Sequence, residues 1–232
     1  MTTFSTRLLF IFSLLFVILM PSLVKAQENL TGYWNPKVSL NYDVSSNYSH
    51  NFSVEKRSYF YRDSDLQLNV RQIDLNHFSN FKVLDNQSIG FGIKYRLKET
   101  FENSTENELR FTEQYNITLK RGSIRYGHRL RAQQRITKSS TVHRFRYRFA
   151  LDFPLKGKEL DIGEPYLMVS TESLLSVGKS LLPAFDQRLT SKLGWVLSTT
   201  TKLQLGMEYR TENYAQSTEN KLFFLTELVL NL

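Results

Sequence analysis

Ile89-Gly90-Phe91-Gly92-Ile93-Lys94-Tyr95-Arg96-Leu97 is the stretch from which the fold is read. Large apolar side chains fall on every second residue, and glycine, lysine or arginine fills the gaps. Successive side chains of a strand point to opposite faces, so this stretch has one apolar and one polar face. A helix would repeat its apolar residues at spacings of three and four. The same rhythm returns along the chain. Leu109, Phe111, Tyr115, Ile117 and Leu119 alternate with Glu108, Arg110, Thr112, Gln114, Asn116 and Thr118. Phe145, Tyr147, Phe149 and Leu151 alternate with Arg144, Arg146, Arg148 and Ala150, and Leu203, Leu205, Met207 and Tyr209 with Lys202, Gln204, Gly206, Glu208 and Arg210. The last segment puts Leu222, Phe224, Leu228, Leu230 and Leu232 on one face.

Six more strands are expected at 33–43, 51–61, 65–75, 123–135, 164–175 and 186–198, and no amphipathic helix competes with them. Lys120-Arg121-Gly122 and Ser198-Thr199-Thr200 read as tight turns, whereas Thr100 to Asn107 and Thr211 to Asn220 read as longer polar loops. Short turns on one rim and longer loops on the other describe a transmembrane barrel. The Pro154 to Pro165 connection is the exception in length. Alternation delivers eleven strands. A bacterial barrel with both termini on one side needs an even number. Twelve is therefore favoured, with 76–84 as a short additional strand, and ten is the alternative with 33–43 outside the wall.

The start of the chain bears on where such strands would sit. Arg7 is followed by an apolar run from Leu8 to Met20, then Pro21 and the small-residue spacing of Val24-Lys25-Ala26. The run is too short for a membrane helix, which needs about 18–20 apolar residues, and has the order of a secretory signal. The expectation is a signal peptide at 1–26 and one barrel domain at 27–232. The chain contains no cysteine, which points away from a disulfide-stapled extracellular protein of eukaryotic type. Six Asn-x-Ser/Thr triplets occur, but Asn116 falls within a strand, where a glycan has no room. A soluble sandwich would alternate too, but its core would be mainly aliphatic. Here many of the 12 Tyr and 17 Phe lie near strand ends, as interfacial girdles do.

From residue 127 onward the chain carries a recognisable order of motifs. Gly127-His128-Arg129-Leu130-Arg131-Ala132-Gln133-Gln134-Arg135 precedes Arg144-Phe145-Arg146-Tyr147-Arg148-Phe149 and Pro154. Phe185-Asp186-Gln187-Arg188-Leu189 and Gly194-Trp195 follow, and Trp34 stands upstream. This order resembles the bacterial outer-membrane barrel family catalogued as domain of unknown function 2490. The resemblance implies an outer-membrane, porin-like location and no known activity. It departs at the C-terminus, since such barrels usually end in Phe or Trp, the residue read by the assembly machinery, and this chain ends in Leu232.

Arginine is the chemistry-bearing residue. Arg125, Arg129, Arg131 and Arg135 share one strand face, and Arg144, Arg146 and Arg148 share a face of the next. The opposite rows, with Tyr126, Leu130, Phe145, Tyr147 and Phe149, suit lipid. The arginines therefore point inward, because a lipid-facing Arg costs about 2–4 kcal/mol at the bilayer midplane. Glu55, Glu108, Glu172, Glu208 and Glu227 fall on inward rows as counter-charges, with Glu108 and Glu172 expected to bridge the cluster. Glu113 breaks its apolar row, as a bulge or a membrane-edge position would. Two readings follow: a narrow pore favouring small anions, or a side-chain-filled structural or adhesion barrel acting through its loops. Catalysis would need a Ser–His pair with an orienting group. His50, His77, His128 and His143 offer no such motif, and no metal-ligand spacing or phosphate loop occurs. No enzyme activity, cofactor or nucleic-acid partner is expected despite the net charge of +8. The expected partners are outer-membrane lipid, the barrel assembly machinery and small anionic solutes.

Overall fold

The computed structural model describes residues 30–179 and 181–232. The expected signal peptide lies outside them. The elements are β1 (Leu30–Ser45), β2 (Tyr48–Arg62), β3 (Asp65–Leu66), β4 (Val70–Leu84), β5 (Gln87–Leu97) and β6 (Glu108–Arg121). They continue with β7 (Ile124–Ile136), β8 (Thr141–Pro154), β9 (Pro165–Gly178), β10 (Leu181–Val196), β11 (Thr201–Glu212) and β12 (Glu219–Asn231). All but β3 form one closed wall, each strand pairing with the next and β1 pairing with both β2 and β12. β3 is a two-residue bridge that folds back on Tyr61 and Arg62 at the end of β2. The fold is an all-β barrel of eleven strands with one short strand outside it.

The expectation of twelve or ten strands is corrected here, and the reason is the closing seam. An even count follows only if every seam is antiparallel. The Leu232 amide donates to the Asn41 carbonyl at 2.9 Å, and the Asp43 amide donates to the Leu232 carbonyl at 3.3 Å. One residue bonded to both neighbours of Tyr42 is the parallel pattern. Side-chain contacts advance in the same direction along both strands: Ser39 meets Glu227, and Asn41 meets Asn231. One parallel seam lets an odd number of hairpin-linked strands close. The segment 76–84 is the second half of β4, and 33–43 belongs to the wall.

The connections sort by rim. Residues 46–47, 85–86, 122–123 and 197–200 make short turns on one rim. The other carries the longer 63–69, 98–107 and 213–218 together with the short 137–140 and the short β9–β10 link. The 155–164 connection stands on the short-turn rim, where its Gly163 amide donates to the Val196 carbonyl at 2.7 Å.

The two faces of the wall differ in kind. Outside, Phe91, Ile93, Leu130 and Phe145 are half exposed, whereas Arg96 and Arg110 on the inner face are only 8% and 4% exposed. Aromatic side chains stand outward toward both rims, Tyr42 and Phe81 at the short turns and Trp34, Phe60, Tyr95 and Phe111 at the longer loops. The usual ordering of a globular protein is inverted. Glycine permits close approach across the inner face at two places. Phe78 lies where a Cβ on Gly92 would stand, and Tyr166 occupies the same position over Gly194.

Candidate functional site

The inner rows enclose a cavity of about 620 Å³ whose lining is mostly charged and amide side chains. Each strand supplies its share by period two: Asn35, Lys37, Ser39 and Asn41 from β1, for example, and Asp186, Arg188, Thr190 and Lys192 from β10.

One wall is neutralised internally. Asp74 on β4, fully buried, accepts from Arg96 at 2.7 and 2.5 Å and from Lys94 at 2.9 Å, with Gln72 at 2.9 Å. Glu55 takes the Asn35 amide at 2.7 Å and pairs with Arg57 at 3.7 Å. Glu227 bridges Lys37 and Lys192 at 2.8 and 2.7 Å across the β1–β12 seam and β10. Glu208 and Glu212 hold Arg210, and Glu212 also holds Lys221. Charges removed from water must be paired in this way to be tolerated.

The β7–β8 wall carries the seven arginines singled out in the sequence. Arg129, Arg131, Arg135, Arg144, Arg146 and Arg148 line the cavity. Arg125 shares their row but sits at the short-turn rim, more than half exposed, paired with Asp152 at 2.9 Å. Glu108 reaches one member of the cluster, Arg135, but not Arg129, Arg131, Arg144, Arg146 or Arg148, which it was expected to bridge. Register brings it beside Arg110 and Arg135, which it holds at 2.6 and 2.5 Å, with Lys98 at 3.8 Å. Glu172 does reach the cluster, pairing with Arg188 at 3.4 Å and Arg146 at 4.0 Å. Arg144 meets Asp186 at 3.6 Å. Arg129 and Arg131 instead donate to neutral amides, Asn116 at 2.8 Å and Gln114 at 2.7 Å. Arg57, Arg96, Arg110, Arg188, Arg210, Asp74 and Asp186 were missed as site residues although each lies on an expected strand, and Glu212 was missed because 211–220 read as a loop whereas β11 runs to Glu212.

The long-loop rim is narrowed by aromatic rings. Phe223 stacks on Tyr33 with centroids 4.8 Å apart, and Tyr59 lies 5.2 Å from Tyr33. The Arg210 guanidinium lies 3.8 Å from the Phe223 ring centre, a desolvated cation–π contact. Loop 98–107 is tied to this stack by Glu102, which accepts from the Tyr59 hydroxyl at 2.6 Å and pairs with Arg62 and Arg71, each at 3.4 Å. Burial works to raise the Glu102 carboxyl, but the Tyr59 hydroxyl and the two guanidiniums outweigh it and hold it below the usual carboxylate range.

The remaining sequence candidates lie on the outer face. His50 Nδ1 is 3.0 Å from His77 Nε2 and 3.5 Å from Ser79 Oγ. Both contacts use one nitrogen, so this is not the base-with-orienter arrangement of a triad. His128 Nδ1 contacts the Tyr147 hydroxyl at 2.8 Å. His143 pairs in register with Gln134. Glu113 marks no bulge: it pairs in regular register between Phe91 and Ala132.

The inner surface therefore presents a fixed excess of guanidinium charge on one wall and closed ion pairs on the other. Such a surface favours anions and repels cations. A family model described as "Protein of unknown function (DUF2490)" matches residues 31–221. No curated protein and no solved structure matches the chain.

Proposed function

The chain belongs to the DUF2490 family, and from that premise we propose that it is an outer-membrane β-barrel whose narrow, arginine-rich lumen admits small anions. The observation that carries the reading is the inversion of the wall. Half-exposed Phe91, Ile93, Leu130 and Phe145 form an apolar outer surface, while Arg96, Arg110, Arg146 and Arg188 are turned inward. A water-soluble protein rarely exposes a continuous apolar surface of this extent, and a membrane barrel requires one about 25 Å tall, flanked by aromatic residues. The signal-like run before β1 agrees with export. Guanidinium side chains facing a water-filled lumen give anion preference.

A second reading has its own support. The ion pairs across the inner surface and the Tyr33–Phe223–Tyr59 stack fit a filled scaffold whose loops do the work. Planar-bilayer recording of the purified chain separates the two. The pore reading expects single-channel conductance with anion preference, reduced in preference by Arg146→Ala. No conductance from a chain that fractionates with the outer membrane would remove the pore and leave the scaffold. Recovery as a soluble periplasmic protein would overturn both.

A further inference from the structure

Strand register places like charges directly opposite one another on the inner wall. Arg129 faces Arg148, and Arg131 faces Arg146, across the β7–β8 ladder. Arg110 faces Arg135 across β6–β7. Directly opposed like charges destabilise a sheet. At the third pair the fold supplies the remedy itself, because the buried Glu108 carboxylate sits between the two guanidiniums and bonds both. At the first two pairs no carboxylate bonds both guanidiniums, although Glu172 stands opposite Arg148 in the β8–β9 ladder. Their hydrogen bonds go to the amides of Asn116, Gln114 and Gln133, which carry no charge. Among the described residues the one carboxylate in reach is Glu172, at 4.0 Å from Arg146 and already shared with Arg188.

A second observation points the same way. The Nε atoms of Arg131, Arg146 and Arg188 are buried and have no hydrogen-bond partner. The Arg146 and Arg188 side chains are more than nine-tenths buried. An unmatched donor on a buried cation is costly, and native structures usually supply a partner. Arg131 also lies 5.4 Å from the Phe78 ring, which rests on Gly92, its partner on the neighbouring strand. A ring this close gives the Arg131 guanidinium an apolar neighbour on one side, where electrostatic interactions are stronger than in water.

We propose that the β7–β8 wall is a binding site for a multiply charged oxyanion of phosphate type, seated between Arg129/Arg148 and Arg131/Arg146 as Glu108 is seated between Arg110 and Arg135. The guanidinium fork matches phosphate oxygens in geometry as well as charge. A monovalent halide offers neither the charge nor the several acceptors. This deepens the anion reading of the lumen and shares its premise that solutes reach the cluster, but it requires retention of the anion rather than passage.

The test uses the full-length protein in non-ionic detergent. Its unfolding temperature is followed with inorganic phosphate and with sodium chloride at matched ionic strength. A parallel arm uses micelles doped with short-chain phosphatidic acid. The expected result is a saturating upward shift with phosphate that chloride does not reproduce, by mass action on the folded state. A shift with phosphatidic acid alone would assign the same chemistry to a lipid headgroup. Arg148→Gln removes one guanidinium of the proposed site, so it is expected to flatten the phosphate response. Arg125→Gln, at the rim, leaves the response unchanged. No response to either phosphate source, or equal responses in the parent and Arg148→Gln, overturns the proposal. Calorimetric titration of the parent with phosphate decides the matter if a variant fails to fold. Conductance without a phosphate response overturns this site alone, and phosphate binding without conductance overturns only the passage.

Discussion

Single buried carboxylates decide whether this inner surface holds together. Glu108 is 1% exposed and neutralises an opposed arginine pair. Glu108→Gln keeps the shape but leaves Arg110 and Arg135 facing one another without a counter-charge. For a fully buried pair such a loss costs about 3–5 kcal/mol, and hydration of the lumen lessens it. Urea unfolding in detergent reads the loss as a lower midpoint. Arg125→Ala breaks an ion pair whose arginine is more than half exposed, so a change of about 0–1 kcal/mol is expected in the same assay. At this scale much of the site was legible. Arg129, Arg131, Arg144, Arg146 and Arg148 share their facing by period two alone. Arg110 and Arg96 were equally legible, lying two residues from Glu108 and Lys94. Asp74 was harder, because it fell near the end of the strand expected at 65–75 but stands inside β4. Which carboxylate meets which arginine depends on cross-strand register, and Glu108 therefore holds Arg110 and Arg135 rather than Arg129, Arg131, Arg144, Arg146 and Arg148.

Turns, close approaches and one tethered loop give the elements their positions. A Cβ on Gly194 would clash with the Tyr166 ring. Gly194→Ala therefore displaces the Tyr166 ring and its bond to Gln204. Overpacking of this kind costs about 1–3 kcal/mol, read as a lower unfolding midpoint. Loop 98–107 makes a pH prediction. Its Glu102 is held below the usual carboxylate range. A lowered folded value means that the tether is fully present above the ordinary glutamate value of about 4.3 and is lost as pH falls through the lowered one. The protection of the loop amides, taken relative to their intrinsic exchange rate at each pH, should fall on acidification through that window. Glu102→Gln should show faster exchange at neutral pH and little further response to acid; a response like the parent's would contradict the tether. Alternation announced every wall strand, including the last, because each must hold one apolar and one polar face. Boundaries were less legible: 65–75 straddles β3 and β4, since the bridge at Asp65–Leu66 follows no facing rule.

Closure is a property of the whole molecule that no local pattern carries. Eleven alternating segments were visible, and parity argued for twelve because antiparallel closure was assumed. The parallel seam brings Asn41 and Asn231 together, with Nδ2 and Oδ1 2.8 Å apart. Asn41→Cys with Asn231→Cys should crosslink under mild oxidation; an even, fully antiparallel barrel would not bring these positions together, and failure to crosslink would count against the seam. The central claim is the inverted wall: lipid outside, charged lumen inside. It is tested most directly by spin labels placed one at a time from residue 144 to residue 149 of β8 in the membrane-reconstituted protein, which has no native cysteine to compete. The account predicts strict alternation. Labels at 145, 147 and 149 collide with a lipid-soluble quencher, and labels at 144, 146 and 148 are shielded from it and meet the water-soluble quencher instead. Equal access of the water-soluble quencher to both rows would contradict it.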